Sequence, residues 1–325
     1  MSLPLPLLQI LADGHFHSGE ALGTRLGITR AAIWKQLRRV EALGLTLQAV
    51  RGRGYRLAYP VEFLQAEILR QNLPAAIQAQ LAAIDILPEI DSTNTYLMTR
   101  AAQGAASGSI CLAEWQHAGR GRLGRTWVSP FGCNLSLSLL WRFTVGPTAL
   151  TGLSLAMGVA LARALRASGA DGLGLKWPND LQWRGRKLGG ILVEIAGESS
   201  GPSLAVIGVG INVRMPETAS GLIQQPWIDL ARIVGVLPSR NVLAACVLEH
   251  LVNALNTFER YGLPAFLDDW RAWDVTAGQG VHLHLPTGII AGESCGIDET
   301  GALLIRVGND LRRYASGEIT LRMDA

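Results

Sequence analysis

Between Gln116 and Trp127 the chain interleaves three glycines, Gly119, Gly121 and Gly124, with three arginines, Arg120, Arg122 and Arg125, and no acidic residue occurs from Trp115 through Arg142. Glycine lets a backbone turn its N–H groups inward and approach a ligand closely, while arginine adds a fixed, fork-shaped positive charge. This is a loop suited to anions. An Arg/Gly loop alone is equally compatible with RNA binding or with simple solvation, so its neighbours matter. Of the 29 basic residues only Lys35, Lys176 and Lys187 are lysines. A coding bias toward arginine would produce that scarcity, but not the placement of the survivors. Lys176 opens Lys-Trp-Pro-Asn-Asp, and Lys187 lies in Gly-Arg-Lys-Leu-Gly-Gly-Ile-Leu-Val-Glu. A lysine is a compact point charge that arginine does not imitate, which points to close contact with a carboxylate or phosphate.

The elements that must hold these residues fall into three segments. A chain of 325 residues has room for about two or three domains. No run of ~18 or more uninterrupted apolar residues occurs, and the start Met-Ser-Leu-Pro-Leu-Pro lacks the basic segment and cleavage site of a secretory signal, so a soluble cytoplasmic protein without membrane contact is expected. Cys111, Cys133, Cys246 and Cys295 are scattered with no Cys-x-x-Cys pair. Reduced, mostly buried thiols are expected, with neither a zinc site nor a disulfide framework. Residues 1–60 carry eight Lys/Arg against Asp13, Glu20 and Glu41, whereas the rest of the chain holds 21 basic and 23 acidic residues. The basic excess is N-terminal and points to nucleic acid there.

That segment reads as a winged helix-turn-helix. Leu5 to Ala12 is a short apolar helix; Ser18 caps a second that ends near Leu26; Gly27-Ile28 turns; and Thr29 caps a third running to Leu43, closed by Gly44. Ile33, Leu37 and Val40 share one face of the third helix, leaving Arg30, Trp34, Lys35, Arg38 and Arg39 for a major groove. The hairpin Arg51-Gly-Arg-Gly-Tyr-Arg-Leu57 would set Arg51 and Arg53 along a phosphate backbone. A basic amphipathic helix by itself is often only a solvated face; the helix spacing plus the wing is the stronger signal.

Residues 61–83, Ala-rich from 66, read as a connector, and 84–273 as a central domain with one large mixed sheet. Its strand candidates are Ile84–Ile90, Ser109–Trp115, Asn134–Arg142, Leu173–Trp177, Ile191–Ala196 and Ala205–Val213. Asp91-Ser-Thr-Asn94 opens a helix to about Gln103, Pro147–Ala167 is a long Ala/Leu helix, and Asn241–Tyr261 and Pro264–Trp273 are two more. Trp177 and Trp183 are expected in the core. No Gly-x-Gly-x-x-Gly joins a strand to a helix, which argues against a Rossmann site. In residues 274–325, alternating runs broken at Pro286-Thr-Gly, Asp298-Glu-Thr-Gly301 and Gly308-Asn-Asp predict a small β barrel. The fold class is α+β.

The ordered set of winged helix, Asp-Ser-Thr-Asn, Ala-Glu-Trp-Gln with the Arg/Gly loop, Lys-Trp-Pro-Asn-Asp, the Lys187 motif, Gly-Val-Gly-Ile-Asn and the β tail resembles the biotin protein ligases. More narrowly, it resembles the bifunctional ones that double as repressors of biotin synthesis. The resemblance spans essentially the whole chain and implies a class II synthetase-like central domain and an SH3-like tail. It also implies the reaction: biotin and ATP form biotinyl-adenylate and pyrophosphate, and the biotinyl group passes to a lysine of biotin carboxyl carrier protein. Cations must offset the repulsion between carboxylate and triphosphate, a task for Arg120, Arg122 and Lys187. Mg²⁺ would accompany ATP through its phosphates, with no dedicated protein cage.

By the same resemblance Ser92, Thr93, Asn94, Gln116, Arg120, Gly121, Arg122 and Lys187 would bind biotin, and Trp127, Lys176, Asn179, Asn212 and Trp227 would face the nucleotide. Ser92 to Asn94 also form a helix N-cap turn, and both readings hold together. Asp180 reads either as a base or orienter near the attacking amine or as a structural turn acid. Operator DNA of biotin synthesis genes and an adenylate-dependent homodimer complete the implied partners. Leu123 and Gly189-Gly190 depart mildly from the family pattern, and the bulky Trp34 departs from it in the recognition helix, so the resemblance implies no particular operator sequence. A ligase without operator binding, a ligand-sensing transcription factor and a lipoate or octanoate ligase are the rival readings.

Overall fold

The computed structural model describes residues 3–198, 201–315 and 319–323. Helices α1 (Leu5–Leu11), α2 (Gly19–Leu26) and α3 (Arg30–Ala42) open the chain, followed by the hairpin of β1 (Leu47–Val50) and β2 (Gly54–Leu57). The helix starts are fixed as expected: Ser18 Oγ accepts from the Ala21 N–H at 3.0 Å and Thr29 Oγ1 from the Ala32 N–H at 3.3 Å. Ile33, Leu37 and Val40 bury against Leu7, Leu8, Leu11 and Leu22. That core does not stop at the domain edge. Phe131, Cys133, Met215 and Ala219 of the central domain belong to it, and the Phe131 N–H donates to the Leu43 carbonyl at 3.1 Å.

The expected connector is more than a linker. Residues 61–83 carry α4 (Ala66–Gln71) and α5 (Ala75–Gln78), and Leu64, Leu69, Leu73, Ile77 and Leu81 join the central core. Alanine richness hides an apolar stripe at every fourth residue from 69 to 81, the spacing of one helix face.

The central domain continues through β3 (Ile84–Leu87), α6 (Thr93–Ala102), β4 (Ile110–Ala113), β5 (Asn134–Phe143), α7 (Leu153–Ala167), β6 (Leu173–Lys176), β7 (Asp180–Trp183), β8 (Arg186–Gly197), β9 (Ser203–Asn212), α8 (Arg240–Tyr261) and α9 (Leu267–Ala272). Its seven strands run β3-β4-β5-β9-β8-β7-β6, and within that order only the β3–β4 ladder is parallel. Leu135, Leu137, Leu139, Ile207, Val209 and Ile211 alternate along their strands and bury in one core with α7 and α8. The segment expected as one helix over 147–167 is broken. A 3-10 turn spans Pro147–Leu150, Gly152 takes φ 84°, and α7 follows. Pro147–Ala167 has the length and mean hydropathy (1.5) of a membrane span, but 67% of its most apolar window is buried inside the fold.

The expected strands stop at Trp177 and resume at Ile191, yet β7 and the first half of β8 form a tight hairpin between them. Arg184 (φ 49°) and Gly185 (φ 74°) both take the left-handed conformation, as a two-residue hairpin loop of the right twist requires. Trp177 is fully buried, as expected, whereas Trp183 is only half-buried, its ring flanked by the guanidinium groups of Arg184 and Arg186. All four cysteines are free thiols, and burial pushes those of Cys111 and Cys133 well above the usual range.

The tail is a five-stranded antiparallel sheet of β10 (Gly280–Leu285), β11 (Gly288–Ile297), β12 (Leu303–Val307), β13 (Asp310–Tyr314) and β14 (Thr320–Met323), in the order β13-β12-β11-β10-β14. Val281, Leu283, Leu303 and Ile305 join the central core, and Trp177 Nε1 donates to the Gly301 carbonyl at 3.1 Å.

Candidate functional site

The sheet face away from α7 and α8 is floored by small residues. Across β5, β9 and β8 the register aligns Ser136 with Gly210 and Gly190, and Ser138 with Gly208 and Leu192. A Cβ on Gly208 would lie 2.2 Å from Asn94 Oδ1, and one on Gly210 would lie 2.6 Å from Cε2 of Trp127. Asn94 and Trp127 therefore rest flat on the sheet at positions where no side chain fits.

One end of this trough is the start of α6. Ser92 caps the helix by accepting from the Thr95 N–H at 3.5 Å, and Ser92, Thr93 and Asn94 are all buried. Gln116 Oε1 accepts from the Thr93 N–H at 2.8 Å and lies 3.1 Å from its hydroxyl. The Ser138 hydroxyl lies 2.7 Å from Thr93 Oγ1 and 2.6 Å from Asn94 Oδ1, while the Asn94 amide donates to Glu194 Oε2 at 2.8 Å and to the Leu192 carbonyl at 3.2 Å. Buried polar groups are tolerated when each finds a partner, and here they form a continuous network.

The other end is cationic. Lys187 Nζ lies 2.7 Å from Asp180 Oδ1, with both side chains 18% exposed, and 6.0 Å from the centre of the Trp127 ring. Lys176 pairs with Asp180 in the β6–β7 ladder. Burial holds its ammonium below the usual lysine range, Asp180 opposes that shift, and the charges of Lys187, Arg125 and Arg322 add to it. Arg122 is half-buried and behaves similarly, its guanidinium lowered by burial and steadied by Asp180. Trp227 is held beside Lys187 by main-chain bonds, from the Lys187 N–H to the Pro226 carbonyl at 2.9 Å and from the Ile228 N–H to the Lys187 carbonyl at 3.0 Å. Asn179 and Asn212 spend their amides on main chain, donating to the carbonyls of Ile191 at 2.7 Å and Ile228 at 3.1 Å. Trp127 Nε1 is buried without a hydrogen-bond partner.

The Arg/Gly loop spans the two ends. The Gly121 N–H donates to the Arg125 carbonyl at 2.7 Å and the Trp127 N–H to the Gly119 carbonyl at 2.8 Å, closing a small hairpin with Leu123 at φ 56°. Its arginines do not act as one patch. Arg122 lies in the field of Asp180, whereas Arg120 turns to the polar network at α6, donating to Glu194 at 3.1 Å and to Thr95 Oγ1 at 3.1 Å. Sequence reasoning missed Ser138 and gave no site role to Gly208, Gly210 or Glu194, although they lie within the quoted motifs. The signal was available: polar or glycine residues recur at every second position inside otherwise apolar β5 and β9, which marks one sheet face as different from the other.

On α3, Arg30, Trp34, Lys35 and Arg38 are exposed and Arg39 is half-buried, and the Arg38 guanidinium stacks over the Trp34 ring at 5.0 Å. Arg51 and Arg53 are exposed on the wing. Arg53 and Arg56 lie over Phe16 at 4.3 and 4.5 Å, a platform the sequence reading did not anticipate. Among the described residues no group of three or more His, Cys, Asp or Glu converges on a point.

Residues 5–56 match an HTH domain, residues 86–212 the Biotin/lipoate A/B protein ligase family, and residues 276–322 the Biotin protein ligase C terminal domain. Over 321 residues the chain is 44% identical to the bifunctional ligase/repressor BirA of Salmonella typhimurium, covering 99% of this chain and 98% of that protein. The chain belongs to the bifunctional biotin ligase/repressor family. The family member of the same name from Escherichia coli is 43% identical over the same extent. Among solved structures, a biotin protein ligase from Aquifex aeolicus in complex with biotin and ATP superposes with a TM-score of 0.64 at 28% identity, covering 75% of this chain and all of that one. For this ligase family the trough between α6 and the Lys187 cluster is the candidate active site.

Proposed function

We propose that this chain condenses biotin with ATP to biotinyl-adenylate and pyrophosphate, transfers the biotinyl group to a lysine of biotin carboxyl carrier protein, and represses biotin synthesis genes in response to the adenylate. In the first step a biotin carboxylate oxygen attacks the α-phosphorus and pyrophosphate leaves. In the second, the carrier amine attacks the acyl carbon, AMP leaves and the amine loses a proton. The polar set Ser92, Thr93, Asn94 and Gln116 receives the ureido ring, and Arg122 and Lys187 meet the carboxylate and α-phosphate. Trp127, Lys176 and Trp227 line the nucleotide side, with Asn179 and Asn212 holding the strands beneath it.

The observation that carries this reading is the Lys187–Asp180 pair, 2.7 Å apart and mostly buried at one end of a trough whose other end is neutral and hydrogen-bonding. Asp180 acts as the orienter of Lys187. Preorganised charge of this kind stabilises the crowded phosphoryl transition state. Mg²⁺ enters with the triphosphate; the described residues include no acidic cluster that would hold it independently, and no step is assigned to it.

Exposed Arg30, Trp34, Lys35 and Arg38, with Arg39, Arg51 and Arg53, face operator DNA. The adenylate adds its phosphate charge to the 117–127 loop, and the loop so held completes a homodimer that pairs two winged helices on a palindrome. The protein acts in the cytoplasm, without membrane contact. Mass spectrometry of carrier protein incubated with this chain, ATP and biotin tests the transfer: modification of a single carrier lysine is expected, and an unmodified carrier would sink the ligase reading.

A further inference from the structure

Glu194 lies on β8, outside the cationic cluster, and its carboxylate touches both walls of the trough. Oε2 receives the Asn94 amide at 2.8 Å, and the two oxygens receive Arg120 Nη2 at 3.1 and 3.2 Å. A carboxylate can only accept, so it dictates which end of the neighbouring amide faces it. With Nδ2 committed to Glu194 and to the Leu192 carbonyl, Asn94 must turn Oδ1 to Ser138, 2.6 Å away and directly over Gly208. The polarity propagates: Asn94 Oδ1 takes the single Ser138 hydroxyl proton, the Thr93 hydroxyl then donates to Ser138 Oγ at 2.7 Å, and the Thr93 N–H donates to Gln116 Oε1 at 2.8 Å. Arg120, meanwhile, is held over Thr95 at the mouth of α6 instead of beside Lys187.

We propose that Glu194 is the positioning residue that sets substrate specificity at the neutral end of the site. It fixes the donor and acceptor pattern offered to the remote end of the acid and fastens the root of the Arg/Gly loop over it. The inference rests on the ligase reading above and names the residue that makes its ring-binding end selective for an acid carrying both N–H donors and a carbonyl acceptor, as a cyclic urea does. Side-chain exposures of 28% for Glu194 and 45% for Arg120 place the pair at the rim, where surface charge pairs contribute little to stability. Its contribution is to orientation.

Steady-state pyrophosphate exchange separates the possibilities. Glu194→Gln leaves one acceptor oxygen for the two donors Asn94 and Arg120 and turns an N–H group toward one of them, so the biotin KM should rise by about tenfold or more. kcat and the ATP KM should stay within about threefold. Asn94→Asp alone sets two carboxylates against each other and should also raise the biotin KM. In the Asn94→Asp/Glu194→Gln double variant the new carboxylate at 94 accepts from the new amide at 194, and the biotin KM should be lower than in either single variant. A biotin KM unchanged in Glu194→Gln, losses shared equally by the ATP KM and kcat, or an additive double variant would each overturn the proposal. A wild-type chain inactive with biotin would remove the ligase reading and this inference together; an active wild type with an indifferent Glu194→Gln overturns this inference alone.

Discussion

Lys187 faces Asp180 because the β7–β8 ladder slips by one residue. Asp180 pairs with Gly190 and Leu181 with Gly189, but Gln182 pairs with Lys187, so Leu188 is left over as a bulge. Without the slip Lys187 would stand opposite Trp183 and point to the other face of the sheet. The bulge thus carries the ammonium to within 2.7 Å of the carboxylate, and Gly190 leaves the space above them clear.

Lys187→Arg should lower biotin-dependent pyrophosphate exchange by at least about tenfold, roughly 1.4 kcal/mol of barrier, because a planar fork replaces a point charge in a confined position. Exchange kinetics with a matched thermal unfolding curve make the check; a folded variant with wild-type turnover would leave Lys187 a bystander.

Gly208→Ala tests the floor of the trough. The added methyl would lie 2.2 Å from Asn94 Oδ1, so Asn94 must move. Overpacking of this kind costs about 1–3 kcal/mol, visible as a lower Tm, and the biotin KM should rise with it. An unshifted KM would mean that Asn94 does not bound the substrate.

Lys176 gives the pH dependence its sign. Burial lowers its pKa, so the folded protein binds this proton less tightly than an ordinary lysine does, and the charge is lost earlier as pH rises. kcat/KM for ATP, which reports the free enzyme, should therefore fall on an alkaline limb below the usual lysine range. Lys176→Arg should move that limb upward, and a limb that stays in place would assign it to another group.

Arg38→Ala should weaken binding to a biotin-promoter duplex and reduce the slope of log K against log salt by about 0.9 for each phosphate that the side chain no longer neutralises. Fluorescence anisotropy over a salt series measures both, and an unchanged slope would place Arg38 off the backbone. Deleting residues 1–60 is a poorer test, since the winged helix shares its core with Phe131, Cys133, Met215 and Ala219. Truncation would expose that apolar surface and lower stability along with DNA binding.

The winged helix was legible almost residue by residue, because caps at Ser18 and Thr29 and the stripe of Ile33, Leu37 and Val40 are local signals. The mixed sheet was legible in outline. The β7–β8 hairpin was not, since Asn179, Asp180, Gly185 and Gly189 read as turn residues and a bulge at Leu188 has no local signature. The connector concealed two helices behind its alanines. Within the site, the scarcity of lysine pointed to Lys187 and the family resemblance added Gln116 and Asp180, but the separation of Arg120 from Arg122 depends on Glu194, 74 residues away from Arg120. Long-range partners of that kind are fixed by sheet register and lie beyond any single motif.

In the proposed reaction the trough adenylates biotin in particular, its neutral end choosing the acid and its Lys187 end activating it. ATP–pyrophosphate exchange by the purified chain, run in parallel with biotin, lipoate and octanoate, tests this most directly. Exchange supported by biotin alone is the predicted result; equal or greater exchange with lipoate or octanoate would contradict it.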